Sequence, residues 1–264
     1  MTFRKFTLKH ITLVTLVPAI AVWGVLTAIF YTHPENSAYN GLAGIGVMFL
    51  ISFGLKKYNS TFMKKAEREL YDGCDPYPML DEIDLYLECA SKRANKTGLH
   101  VTRAVLLTLA GKYEDAEQLL KSFNTGADSP LPATVKSGVL YDLASLYCAM
   151  NMRQHAIESY DRSREIISSE PEAIRQKIPF DGMTSAQVEC FKGNADLSLE
   201  MLEKIEPENN FHEVMKTFAS AKIHYIIGRR EEALSEFDFV AENGGKLACA
   251  AESEEISRAA RAAN

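Results

Sequence analysis

Six histidines (His10, His33, His100, His155, His212, His224) and five cysteines (Cys74, Cys89, Cys148, Cys190, Cys249) are the side chains best suited to hold a metal or attack a substrate. Their spacing supports neither task. A zinc-protease helix needs two histidines four residues apart, so that both rings face one ion. His212-Glu213 begins that pattern, but Lys216 stands where the second ligand belongs. The cysteines are odd in number and scattered, with no pair at two-residue spacing, and read as small buried hydrophobes in a reducing compartment. No Gly-rich phosphate loop or Gly-x-Ser-x-Gly elbow occurs. Glu114-Asp115, Glu231-Glu232 and Glu254-Glu255 fall at helix starts or outer faces, where acids complement the helix dipole. The residues therefore read as no enzyme, with no cofactor and no metal.

The net charge of −6 is unevenly spread: the first 55 residues hold only Arg4, Lys5, Lys9 and Glu35, which leaves an acidic remainder. Such a body lacks the clustered Lys and Arg that neutralise phosphates, so nucleic acid is excluded as a partner. Ile11 to Tyr31 is uncharged and mostly apolar, long enough at about 1.5 Å per residue for a hydrocarbon core of about 30 Å. Gly41 to Leu55 is a shorter second run with a small-residue face at Gly41, Gly44 and Gly46. Lys56, Lys57, Lys64, Lys65 and Arg68 follow it, and Arg4, Lys5 and Lys9 precede the first run, so both flanks carry the cytoplasmic mark. The expectation is a transmembrane hairpin over 1–57 in a lipid bilayer, both termini cytoplasmic. A cleaved signal peptide at Ala19-Ile20-Ala21 and a buried core helix over the second run are the competing readings.

Beyond it the chain predicts helices throughout, with no sustained strand alternation. Linker helices occupy 58–97, around the turn Asp72-Gly73-Cys74-Asp75-Pro76-Tyr77-Pro78. The remaining 98–264 predicts helical hairpins about Gly111, Asn151, Gly193 and Gly228, a breaker segment from Asn124 to Pro132, and a final Ala-rich helix with a polar outer face that would cap the array. The fold class is all-α.

Four turn segments share a pattern: Gly111-Lys112-Tyr113-Glu114-Asp115-Ala116, Asn151-Met152-Arg153-Gln154-His155-Ala156, Gly193-Asn194-Ala195-Asp196-Leu197-Ser198 and Gly228-Arg229-Arg230-Glu231-Glu232-Ala233. Each is followed four residues later by a bulky residue: Leu120, Tyr160, Leu202 or Phe237. This pattern resembles the tetratricopeptide repeat, although the small-residue positions 116, 156, 198 and 233 are not evenly spaced at the family's period of about 34. A non-repeat helical bundle is the alternative. The resemblance implies a solenoid whose first helices line a groove, formed here by Val101, Val105 and Thr108, by Tyr141, Ser145 and Cys148, by Met183, Gln187 and Cys190, and by Phe218, Lys222 and Tyr225. Ordinary inter-repeat core is the competing reading for each.

The function that follows is a membrane-anchored, cytosol-facing adaptor or scaffold whose apolar groove grips a protein or peptide partner. The alternative is an accessory or assembly subunit of a membrane complex recognised through its hairpin. A homo-oligomer stays open.

Overall fold

A computed structural model describes residues 3–9, 53–54, 57–89, 96–175 and 182–262. Among these the chain is all-α, without strands. It divides into two compact units: residues 1–66 with 82–96, and residues 67–81 with 97–264.

In the first unit lie α1 (Phe3–Lys9), most of α2 (57–71) and most of α3 (Tyr77–Cys89). Arg4 pairs with the buried Glu82 and sits 3.9 Å over the Phe62 ring, while Lys5 pairs with Glu88. Burial pushes the Arg4 guanidinium below its usual range.

The transmembrane anchor is corrected here. No helix among the described residues is long and apolar enough to cross a membrane. The runs 11–31 and 41–55 lie outside the described residues, except for Phe53 and Gly54. Two of the cations expected to mark a cytoplasmic flank, Arg4 and Lys5, are ion-paired to acids on α3, so a protein contact accounts for these two. Membrane location, bilayer partnership and both hairpin-based functions fall with the anchor.

The second unit is a run of helical hairpins: α4 (Thr97–Leu109) with α5 (Tyr113–Lys121), α6 (Ala133–Ala149) with α7 (Arg153–Ser168), α9 (Gly182–Phe191) with α10 (Ala195–Glu203), and α11 (Asn210–Ile226) with α12 (Arg230–Asn243). The short α8 (Glu172–Arg175) lies in the connector after α7, and α13 (Ala248–Ala262) packs on α12.

The four hairpin turns are built alike. Gly111, Asn151, Gly193 and Gly228 all hold φ between 57° and 94°, the left-handed region in which a side chain costs energy. Each turn ends its helix with the same two backbone bonds. In the first, Gly111 N donates to Thr108 O and Lys112 N to Leu107 O; the equivalents are Asn151 to Cys148 with Met152 to Tyr147, Gly193 to Cys190 with Asn194 to Glu189, and Gly228 to Tyr225 with Arg229 to His224. The small residue five positions on, Ala116, Ala156, Ser198 or Ala233, is fully buried where the two helices meet. The Ser198 hydroxyl donates to Ala186 O across its hairpin. Ser137 and Ser163 clamp α6 to α7 reciprocally, each hydroxyl donating to the other's carbonyl at 3.0 and 2.8 Å.

These turns make a clean test of backbone cost, because no atom lies within 4 Å of a Cβ added at Gly193. Gly193→Ala is expected to lose about 1–2 kcal/mol from left-handed strain alone, whereas Asn151→Gly should stay within about 0.5 kcal/mol of the parent. Urea denaturation of the two variants checks both values.

The final helix keeps the expected polar outer face, but it does not terminate an open array. The start of α13 returns to the first hairpin, where a Cβ on Gly111 would lie 3.1 Å from Ala248 Cβ. Cys249, Ala250, Ser253 and Ser257 form its buried stripe, and only the opposite side, with Glu254, Glu255 and Arg258, is exposed. An open solenoid is therefore corrected to a run of hairpins that closes on itself.

Candidate functional site

Closure leaves a recess of about 250 Å³ in the second unit. Val105 and Leu109 of α4 provide one side, Met183 of α9 a second, and Phe211, Met215 and Phe218 of α11 a third. Phe211, Met215 and Phe218 fall at positions i, i+4 and i+7, so a single helical face presents all three. Leu247, Ala248 and Cys249, at the start of α13, complete the wall. Thr108, Tyr113, Asp142, Ser145, Thr184, Gln187 and His212 are the polar or polar-tipped residues of the lining. An apolar enclosure with a few convergent polar groups is the usual form of a small-molecule site.

Of the groove positions expected from sequence, Val105, Thr108, Ser145, Met183, Gln187 and Phe218 meet at this recess. Val101, Tyr141, Cys148, Cys190, Lys222 and Tyr225 do not line it. Tyr141 is buried with its ring centroid 6.1 Å from that of Tyr160, and Tyr225 is 58% exposed beside Phe237. Lys222 is buried, and its Nζ donates to Cys148 O at 2.9 Å and Ala149 O at 3.3 Å, the last carbonyls of α6. A cation there answers the negative end of the helix dipole. Sequence reasoning passed over Phe211, Met215 and Leu247 to Cys249, although the apolar face of α11 was available as a signal.

Burial decides what these groups can do. The Tyr113 hydroxyl is pushed up to about 12, first by burial and then by Glu252 and Cys249. The Cys249 thiol also rises to about 12, first by burial and then by Cys74 and Glu252. At neutral pH both keep their protons, so neither is a thiolate or phenolate nucleophile. Burial likewise raises the Glu252 carboxyl, and Lys222, 3.7 Å away, opposes the rise. Among the described residues no group of His, Cys, Asp or Glu is arranged to hold a metal ion.

The two raised groups imply an alkaline limit. A group whose folded value lies above its unfolded value contributes stability that is complete below the unfolded value and lost as pH rises through the folded one. With ordinary values of 10.0 for Tyr113 and 9.0 for Cys249, unfolding free energy is expected to fall between about pH 9 and 12. Tyr113→Phe should flatten part of that slope in chemical denaturation at stepped pH.

The tetratricopeptide assignment is corrected at the same place. The turns follow one plan, but the connectors are uneven and the start of α13 stands against the first hairpin, so the first helices wall a recess rather than an open groove for a polypeptide. Compared with known proteins, the chain matches no family model, no curated protein and no solved structure.

Proposed function

We propose that the second unit is a non-catalytic binding module for a small molecule with an apolar or aromatic body and one hydrogen-bonding group. One observation carries this reading: Val105, Ser145, Met183 and Phe218, from four different hairpins, converge on a single recess. Its apolar walls suit the body of such a ligand, and the Ser145 and Gln187 side chains offer a donor and acceptors to its polar end. Tyr113 and Cys249 stay protonated at neutral pH and add apolar surface with weak hydrogen-bonding capacity.

N-phenyl-1-naphthylamine, which fluoresces in apolar surroundings, tests the reading with the full chain. At about 0.3 kcal/mol per non-hydrogen atom, its roughly 17 atoms give a Kd on the order of 100 µM. Met183→Arg, which puts a cation into the apolar wall, is expected to weaken binding at least about tenfold. Tyr225→Ala, outside the recess, should leave it unchanged. Absence of binding, or equal binding by Met183→Arg, refutes the proposal.

A further inference from the structure

The turn at 72–76 joins three helix ends. Lys246 N, just before α13, donates to Cys74 O at 3.0 Å. Asn210 Nδ2, at the start of α11, donates to Asp72 O at 3.3 Å, Cys74 Sγ at 3.3 Å and Asn243 O, at the end of α12, at 3.4 Å. Lys246 Nζ lies 2.6 Å from Asp75 Oδ2. Cys74, at the middle of the turn, is fully buried and holds φ 52°, a left-handed conformation uncommon for a residue with a side chain. The residues next along the chain from Lys246 are Leu247, Ala248 and Cys249, the recess wall.

We propose that the 72–76 turn is a latch on the recess: while it grips Lys246 and Asn210 the wall stays closed, and its release lets residues 243–249 move out and admit a ligand. For its purpose the proposal rests on the binding reading above; its mechanics do not. The grip combines a strained centre with two solvent-facing holds. The Lys246 side chain is 66% exposed, so salt screens its pairing with Asp75. The Asn210 amide bonds are exposed to competition from water. Breaking these holds also lets Cys74 leave its left-handed conformation, which offsets part of the cost of parting Leu247 and Cys249 from the core cluster they share with Cys74, so the open state is a minor one reached while the hairpins stay intact.

Cys249 reports the movement without any ligand, because it belongs to the wall and is only 7% exposed. Cys190 is 5% exposed and belongs to another core cluster, which makes it an internal control. Labelling of the full chain with N-ethylmaleimide is followed at each cysteine by mass spectrometry, in the parent, Asp75→Asn and Asn210→Ala. Each variant is expected to speed labelling of Cys249 by about fivefold and leave Cys190 unchanged, in keeping with the loss of one exposed contact. In the parent, Cys249 labelling should also accelerate with salt, and Asp75→Asn should lose that dependence. A Cys249 rate that stays constant, or that rises together with Cys190, overturns the latch. Should a variant fail to fold, the parent's salt series decides alone. Failure of the parent to bind N-phenyl-1-naphthylamine would sink the binding reading and leave the labelling result to stand or fall by itself.

Discussion

Gly245→Ala is expected to be among the most damaging single substitutions in the second unit. Gly245 holds φ +54°, and a Cβ there would lie 2.5 Å from Gly73 O, 3.0 Å from Cys74 O and 3.1 Å from Cys74 Cβ. The first two obstacles are backbone atoms, which cannot rotate away as a side-chain tip can. Left-handed strain of about 1–2 kcal/mol therefore adds to a steric cost of about 1–3 kcal/mol, for a loss of about 3 kcal/mol. For a unit of this size that lowers Tm by about 6–12 °C, which calorimetry resolves. Gly193→Ala carries only the first of these costs, so a Gly245→Ala effect no larger than that of Gly193→Ala would show that the 72–76 turn is not pressed against this glycine.

The second large effect is expected at Lys222→Met. The variant removes two charge-assisted hydrogen bonds to α6 carbonyls, worth about 1.5–3 kcal/mol, and takes the nearest cation from Glu252. Burial already raises the Glu252 carboxyl, and Lys222 is what opposes the rise, so the variant raises it further. For an acid shifted upward, the contribution to stability is complete below the unfolded value and disappears as pH rises through the folded one. The penalty of Lys222→Met should accordingly be smallest near pH 4 and grow to about 3 kcal/mol at pH 7. Denaturation at both values, with the Lys222→Met/Glu252→Gln double variant completing a cycle, separates the cap from the ion pair. A penalty independent of pH would leave the capping bonds as the whole effect.

Lys222 also shows where sequence reasoning stops. Periodicity places it on the first helix of a hairpin, among groove positions, and Val105, Ser145, Met183, Gln187 and Phe218 in equivalent registers do reach the recess. That it caps a helix end more than seventy residues earlier has no local signature. The hairpins were legible because each turn carries Gly or Asn where φ must be positive and a small residue where two helices touch, both local demands. The start of α13 was not, since its acidic and basic residues read as a solvent-facing end while Cys249, Ala250, Ser253 and Ser257 between them are buried. Tertiary closure decides which side of an Ala-rich helix is interior. The supposed bilayer flank failed for a related reason: Arg4 and Lys5 carry the same charge whether they face headgroups or Glu82 and Glu88.

The contact of Ala248 with Gly111 restricts what evolution can do with this architecture. A linear stack of hairpins grows or shrinks by duplication, because each new member needs only its neighbours. Here an added hairpin would separate Ala248 from Gly111 and Lys246 from Cys74, exposing Leu247 and Cys249 in the process. Gene duplication within the second unit is thus penalised at once, and its descendants are expected to vary in connector length while keeping the same number of hairpins.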